Sequence, residues 1–490
     1  MMNNQHFYFP IKAFAVFLTL GCYFSLPMIA QETSPNIIFI VADQMRGDAL
    51  SILGSPNART PNLDRMASKG VLFENFFVNN PVCAPSRVSF FTSLYPHQHG
   101  KLTNTSGELI QSLDKSMFGY FKKLGYRTGW FGKNHHSHAK PLMAELDSVN
   151  GRNREPFRSY TKFVPPHWHS DFLWPKEDTY APLTTENGIG FINEAKEGEP
   201  FFLYLSYFDP HPPYMAPAEY TSQYCSEDMV LPEFIHPAKL STRLDEEYRL
   251  LRYDKLSEAD LTETMRYYYA AIEWGVDHQV GLILQALEDK GLTENTIIVF
   301  SADHGDFMGE HHMVRKGMFL YDALLHVPFI WYAPGRIQEG LRSRVMTQGV
   351  DLYPTLVDMV GGQKPENVSG RSLKPFLTGQ QQEDEEEMVV FASAAYNDLN
   401  PDYFAHPEPY YDPNSEVPFH SRVQSLTWEG KYKTAMARTQ DWKLILNESR
   451  PPELYRMNGG WIEPENVADD PTHTDVFESL KSKIEETWSW

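Results

Sequence analysis

Short apolar runs bounded by turn residues recur along the chain and alternate with stretches of helical spacing. The runs are Asn36–Ala42, Arg127–Gly132, Pro200–Tyr207, Thr296–Ser301 and Val327–Tyr332. They predict buried strands. Between and beyond them, Thr60–Lys69, Pro85–Leu94, Leu113–Leu124, Thr184–Ala195, Thr262–Lys290 and Leu352–Val360 repeat apolar residues at helical intervals. Strand and helix in alternation predict an α/β fold, a large mixed and mostly parallel sheet sandwiched by helices. The pattern changes after Gly379, where a glutamine run leads into the acidic tract Glu383–Glu387. Such a tract reads as an exposed loop between domains. Beyond it, Met388–Ser393, Thr434–Arg438 and Trp442–Leu446 predict a smaller antiparallel sheet, and Thr474–Thr487 a closing helix. No internal repeat is present.

The N-terminus divides the chain further. Lys12 precedes the apolar run Ala13–Ile29, which is broken by Gly21 and Pro27 and ends at Ala30-Gln31. A basic start, an apolar centre and a small residue before a cut describe a signal peptide rather than a spanning anchor. The expected divisions are therefore a signal peptide over 1–30, a catalytic domain over 31–382 and a C-terminal subdomain over 383–490. The mature protein is expected to be secreted or periplasmic. Leu20-Gly21-Cys22 partly resembles a lipoprotein site, which offers lipidation at Cys22 and an outer-membrane anchor as the alternative. With Cys22 removed or lipidated, only Cys83 and Cys225 remain, and Cys225 reads as a buried or simply tolerated thiol.

Charge excludes one class of partner. The chain carries a formal net charge of −21, and nucleic-acid binding by counterion release needs a basic face. The same field opposes any anionic substrate, so an anion site must be locally basic.

In open parallel sheets functional groups collect beyond the carboxyl ends of the strands. Here four strand ends are chemically loaded: Asp43-Gln44, Lys133-Asn134-His135, Asp209-Pro210-His211 and Asp303-His304. Singly, an aspartate after a strand is often a helix cap and a histidine there a satisfied polar residue. Four together make coincidence a poor account. The sharpest segment is Pro81-Val82-Cys83-Ala84-Pro85-Ser86-Arg87. Pro85 suits the first turn of a helix, which puts Cys83 at the positive helix end and Arg87 one turn on, on the same face. On chemistry alone this could be a low-pKa nucleophilic thiolate or a small apolar residue before a helix.

These residues resemble the type I sulfatases of the alkaline phosphatase superfamily, in which Cys-x-Pro-Ser-Arg directs oxidation of the cysteine to formylglycine. Cys83, Pro85, Ser86 and Arg87 match without a gap. Further blocks follow in family order: Thr60-Pro61-Asn62-Leu63-Asp64, Gly132-Lys133-Asn134-His135, Pro210-His211-Pro212-Pro213, Asp303-His304-Gly305 and Glu453-Leu454-Tyr455. The resemblance implies an alkaline phosphatase-like fold and a formylglycine-generating maturation enzyme as partner. It also implies a divalent cation, Ca2+ or else Mg2+ or another divalent ion, held by Asp43, Gln44, Asp303, His304 and the oxygen at position 83. Two departures stand out, since Gln44 replaces a common aspartate and His304 a common asparagine. They remove one negative charge and add an imidazole to an oxygen-rich site.

The resemblance further assigns Cys83, Arg87, Lys133, His135, His211 and Lys316 to catalysis. Hydrated formylglycine attacks sulfur and expels the alcohol; the intermediate then collapses to aldehyde and sulfate, with His135 taking a proton. Lys133 and Lys316 offset sulfuryl charge, and His211 binds sulfate or protonates the leaving oxygen. His136, His138, His311 and His312 are expected to contact substrate or to support the ligands. Arg152–Trp174 and Tyr396–His420 are rich in aromatic and polar residues, as a sugar-binding rim would be. The expected substrate is therefore a sulfated carbohydrate, with ulvan, carrageenan and glycosaminoglycans all open. The rival readings are a phosphoester or phosphonate hydrolase of the same superfamily and a lapsed, glycan-binding surface protein. Oligomeric state is left open.

Overall fold

In a computed structural model, the described residues are 1, 34–104, 113–134, 145–149, 179–232, 256–383, 388–396 and 432–488. The expected signal peptide, Cys22, His135, His136, His138, Arg152–Trp174, residues 384–387 of the acidic tract and residues 397–420 of the second aromatic stretch lie outside them. No helix among the described residues is long and apolar enough to cross a membrane.

Fourteen strands are found among the described residues, in chain order β1 (Asn36–Asp43), β2 (Val71–Phe73), β3 (Phe76–Phe77), β4 (Arg127–Gly132), β5 (Ser148–Val149), β6 (Phe201–Pro210), β7 (Thr296–Ala302), β8 (Phe329–Tyr332), β9 (Leu341–Ser343), β10 (Thr347–Gln348), β11 (Val390–Tyr396), β12 (Tyr432–Arg438), β13 (Trp442–Asn447) and β14 (Glu453–Arg456). Eight form one sheet in the order β5-β4-β6-β1-β7-β8-β2-β9. β8 pairs antiparallel with both neighbours, and every other pair is parallel. β3 and β10 make a two-stranded ribbon, and β11 to β14 a four-stranded antiparallel sheet. The fold class is the expected one. Five long strands lie within a few residues of the apolar runs that foretold them, whereas β2, β3, β5, β9 and β10 are too short to carry a readable pattern.

Register decides where the chemistry emerges. β1 is central and wholly buried. Val41 aligns with Ser206 on one side and Ser301 on the other, and Ser206 aligns in turn with Gly132. Four strands are thus level at one row, and the residues just beyond it, Lys133, Asp43 and Asp303, leave the sheet together. Gly132 has φ +92°, and a Cβ there would sit 2.0 Å from the Ser206 carbonyl oxygen, so the turn into Lys133 requires glycine.

The helix Cys83–Thr92 is buried at every residue. Phe90 meets Phe39 of β1 edge to face at 5.7 Å, while Phe91 meets Trp130 of β4 at 5.4 Å and Tyr204 of β6 at 5.3 Å. These contacts hold the helix against the sheet.

The long helix expected over Thr262–Lys290 is instead Glu258–Ile272 and Gln279–Asp289, joined by a widened π turn at Glu273–His278. Inside the turn, a Cβ on Gly275 would lie 2.4 Å from the Asp209 carboxyl carbon. The turn also carries Asp277, which accepts hydrogen bonds from the backbone N–H groups of Asn62 and Leu63 at 3.0 and 2.8 Å. The side chain of Thr60 makes no cap bond to the helix Pro61–Ser68, and Asp277 satisfies its free donors instead. Against the four-stranded sheet lies the helix Thr474–Thr487, with Leu480 and Ile484 meeting Ala435, Ala437, Leu444 and Leu454 in a small separate core.

Candidate active site

Cys83 opens its helix, and its side chain is the meeting point of the site. Its Sγ lies 2.8 Å from Lys316 Nζ, 3.2 Å from His304 Nε2, 3.7 Å from Asp43 Oδ1 and 3.8 Å from Lys133 Nζ. Burial and Asp43 push the thiol up, but Lys133, Lys316 and His304 outweigh them and bring it down to about 5. One turn further, Arg87 is 1% exposed and fully engaged. It donates from Nε to Asp303 Oδ2 at 2.8 Å, from Nη2 to Asp43 Oδ2 at 3.1 Å, and from Nη1 to the Tyr204 hydroxyl at 2.8 Å and to Ser206 Oγ. Arg87 thus clamps both carboxylates beside Cys83.

Gln44 follows β1 in a left-handed conformation, φ +73°. Two backbone bonds hold it there: its N–H donates to Asp303 Oδ1 at 3.1 Å, and its carbonyl accepts from the Tyr268 hydroxyl at 3.0 Å. The turn sets the backbone of Gln44 against Asp303 directly after Asp43 and sends its side-chain amide to Asp306. Lys133 donates to Asp43 Oδ2 as well. Burial raises the Asp43 carboxyl, but Lys133, His211, Lys316 and Arg87 pull it well below the usual range. Asp303 is pushed the other way, by burial and by Asp43. Two carboxylates this close favour ionising one before the other.

His304 Nδ1 lies 2.8 Å from the Gly305 carbonyl, so that nitrogen carries the proton and Nε2 keeps its lone pair. Nε2 accepts from Lys316 Nζ at 2.9 Å. One donor atom each from Asp43, Cys83, Asp303 and His304 all lie within 4.8 Å of one another. Gln44 Oε1 is buried and has no hydrogen-bond partner. A buried amide oxygen without a donor is costly unless a cation meets it. Two carboxylates, an amide oxygen and an imidazole nitrogen fit a divalent cation.

Lys316 arrives on the loop Asp306–Lys316, in which Met308, His311, His312 and Arg315 all have positive φ, at 37°, 51°, 59° and 72°. Such a backbone persists only where its surroundings fix it. His211 Nδ1 lies 2.8 Å from the Pro212 carbonyl and its ring 4.9 Å from that of Phe208, which also lies under Lys133 Nζ at 5.0 Å. Burial, with Lys133 and Lys316, holds the His211 imidazole neutral, well below its ordinary pKa. Its Nε2 is thereby left as the nitrogen able to accept.

Of the residues singled out from sequence, Asp43, Gln44, Cys83, Arg87, Lys133, Asp303, His304 and Lys316 converge, and His211 borders them. His135 lies outside the described residues. His311 and His312 turn elsewhere: the His311 ring faces Tyr321 at 5.2 Å, and His312 Nε2 lies 2.5 Å from the Leu256 carbonyl. Cys225 is free and exposed, a tolerated thiol rather than a buried one. Three participants were not anticipated: Tyr204 and Ser206, which seat Arg87, and Asp306, which seats Gln44. Asp306 stands next to the Asp303-His304-Gly305 block, and that adjacency was its one visible signal.

An alkaline phosphatase-like α/β fold with charged strand ends around a helix-terminal cysteine defines a class of ester hydrolases. The chain belongs to the sulfatase family, whose model matches residues 35–362. It is a sulfatase, a hydrolase of sulfate esters. An arylsulfatase of Clostridium perfringens is 32% identical over 70% of this chain and 78% of its own length. An ulvan-active sulfatase of Formosa agariphila is 29% identical over 79% of this chain and 74% of its own. Among solved structures, the phosphonate monoester hydrolase of Agrobacterium radiobacter superposes with a TM-score of 0.73 over 92% of this chain and 95% of its own; at 24% identity this likeness concerns the fold alone.

Proposed function

We propose that the chain is an exported sulfatase that removes sulfate from a carbohydrate, with Cys83 matured to formylglycine and one divalent cation, calcium for preference, beside it. The observation that carries this reading is the position of Cys83 Sγ, at a buried helix start, 2.8 Å from Lys316 Nζ and 3.2 Å from His304 Nε2. Formylglycine, once hydrated, supplies an oxygen nucleophile and a second hydroxyl on the same carbon. The cation supplies Lewis acidity toward that oxygen and the sulfuryl group.

The chain's own residues do the rest. Asp43, Gln44, Asp303 and His304 would hold the cation, with the oxygen at position 83 completing the set. Arg87, locked by its hydrogen bonds, keeps both carboxylates oriented without spending a donor on substrate. Lys133 and Lys316 bring positive charge to the position where the sulfuryl oxygens gather charge. His211, with Nδ1 turned to Pro212, is assigned to the sulfate or the leaving oxygen through Nε2, which donates once the negative charge of the bound substrate favours its protonation. His135 is assigned to receive the proton that frees the second hydroxyl, on the strength of its sequence block. A maturation enzyme that makes formylglycine, export through the N-terminal segment with lipidation at Cys22 as the alternative, and a subdomain beginning at residue 383 belong to the same reading.

The carbohydrate preference rests on the aromatic and polar composition of 152–174 and 396–420 and on the substrate in the Formosa relative's name. Matched aryl sulfate and phosphate esters, followed by defined sulfated oligosaccharides, test it. The sulfate ester is expected to turn over faster than its phosphate twin, and at least one oligosaccharide to lose sulfate. Active protein should yield a peptide spanning position 83 that reacts with carbonyl reagents. Full activity in protein whose Cys83 is an alkylatable thiol would overturn the formylglycine assignment, and a preference for the phosphate ester the sulfatase mechanism.

A further inference from the structure

Asp306 lies on no strand or helix, yet it accepts four hydrogen bonds, two on each carboxylate oxygen. Oδ1 takes the backbone N–H groups of Met308 at 2.9 Å and Arg315 at 2.7 Å. Oδ2 takes Gln44 Nε2 at 2.6 Å and the Tyr214 hydroxyl at 2.6 Å. The side chain is fully buried. The first pair ties together the two ends of the loop that carries Lys316, and both donors belong to residues with positive φ. The second pair fixes the amide of Gln44. A carboxylate can only accept, so Gln44 must turn its NH2 toward Asp306 and its oxygen away. That oxygen is the buried Oε1 with no partner.

We infer that Asp306 is a positioning residue with two tasks: it selects the oxygen of Gln44, rather than its nitrogen, as the atom offered to the metal, and it pins the loop that delivers Lys316. The inference rests on the metal site of the proposed function. It assigns a cause to something that site needs, because Gln44 offered the wrong way round would point two N–H donors at a cation.

The asymmetry of the four bonds allows a decisive substitution. In Asp306→Asn the side-chain oxygen must stay on the backbone N–H groups of Met308 and Arg315, since those cannot reverse. The NH2 of the introduced amide then faces Gln44 and Tyr214. Gln44 is forced to flip, bringing its own NH2 to the metal position. Replacing Gln44 by Glu in that background restores the match: one carboxylate oxygen accepts from the introduced amide and the other is free for the cation. The second N–H of that amide serves Tyr214, whose hydroxyl can accept.

Calcium binding to purified, folded protein is the measurement, by calorimetry, with circular dichroism as the check on folding. Asp306→Asn should bind calcium about 10- to 100-fold more weakly than the parent, the usual loss when a group that orients a ligand is changed. The pair Gln44→Glu with Asp306→Asn should recover most of that loss, whereas Gln44→Glu alone, which sets a carboxylate against that of Asp306, should gain nothing over the parent; that non-additivity is one a merely structural role for Asp306 does not produce. Parent-like binding by Asp306→Asn, or no recovery in the pair, overturns the inference while leaving the metal site standing. If Asp306→Asn fails to fold, the pair decides alone: folding with calcium bound supports the inference, and an unfolded or metal-free pair refutes it. Asp43→Ala separates the two levels. A parent that binds no better than Asp43→Ala removes the metal site itself, and the inference with it.

Discussion

Two buried clusters of charge can be compared within this molecule, one at the strand ends of the large sheet and one where β12 and β13 meet the segment Asp322–Leu325. The first sets Asp43 and Asp303 against Arg87, Lys133 and Lys316. The second sets Asp322 and Glu463 against Arg438 and Lys443. In the second, Arg438 Nε donates to Asp322 Oδ2 at 2.8 Å, and Lys443 Nζ donates to Asp322 Oδ1 at 2.6 Å and to Glu463 Oε1 at 2.5 Å. Two negative groups answer two positive ones, and none of the four side chains is more than 1% exposed. The first cluster sets three cations against two carboxylates and the depressed Cys83 thiol; maturation of Cys83 to an uncharged aldehyde, as proposed, would leave one cation in surplus, and Lys133 keeps 14% of its side chain exposed. Desolvating a charge is repaid only when it is paired, so a closed, neutral cluster has nothing to offer a ligand. A cluster with a surplus cation and an edge open to solvent suits an anion, even in a chain with a net charge of −21.

The largest effect should come from the reactive position itself. Cys83→Ala removes the proposed nucleophile and leaves every carboxylate and cation of the first cluster in place, so sulfate-ester hydrolysis should fall by about 10^4-fold or more. Its unfolding midpoint in denaturant should stay close to that of the parent. Substantial residual turnover would mean that the cluster uses some other nucleophile.

The balanced cluster should behave in the opposite sense. Asp322→Ala leaves Arg438 and Lys443 buried against a single carboxylate, and breaking such a pair from one side destabilises by about 3–5 kcal/mol. Chemical denaturation would measure this, and the protein that remains folded should turn over substrate at close to the parental rate. A large fall in turnover with unchanged stability would erase the distinction drawn between the clusters.

Lys316→Met sharpens the contrast from the catalytic side. It removes the surplus cation, which is 2.8 Å from Cys83 Sγ and faces Lys133 across it, rather than a balanced partner. Stability should hold or rise, while turnover drops by about 10^2- to 10^3-fold, the usual loss for one preorganised charge at a developing anion. Stability loss as large as that of Asp322→Ala would show Lys316 to be structural.

How far these clusters could be read from sequence differs in an instructive way. Asp43, Asp303 and Lys133 were legible because each ends a strand whose apolar run is plain, and Cys83 because Pro85 marks a helix start. Their common level was not legible, since it depends on the registers Val41–Ser206, Val41–Ser301 and Gly132–Ser206. Asp306 was missed because its meaning lies in Gln44 and Tyr214, 262 and 92 positions away. The second cluster gave no local sign at all: β14 and Glu463 sit in a stretch without periodicity, and Arg438 and Lys443 read as ordinary strand-end residues. Short strands and long-range polar pairing are properties of packing, and neither leaves a repeat in the chain.

The smallest expected effect concerns the support behind the helix of Cys83. His99 Nδ1 accepts from the Lys101 backbone N–H at 3.1 Å, and Nε2 faces Ser89 Oγ, on the helix of Cys83 and Arg87, at 3.1 Å. Burial, reinforced by His97 and Lys101, pushes this imidazole down from 6.5 to about 3. A depressed histidine is held neutral, so the stability it secures is complete above pH 6.5 and is lost as the pH falls from there toward about 3. At about 1.4 kcal/mol per unit, roughly 2 kcal/mol should be gone by pH 5. An asparagine at this position can still accept from Lys101 through its side-chain oxygen and does not titrate. His99→Asn should therefore be about 1 kcal/mol less stable than the parent at pH 7.5, for the lost Ser89 contact, yet show a flatter fall between pH 6.5 and 5. Unfolding free energies of both proteins across that window decide the matter. Parallel curves would mean that the acid sensitivity of this region comes from elsewhere, and that the back of the Cys83 helix is no more sensitive to protons than the balanced cluster.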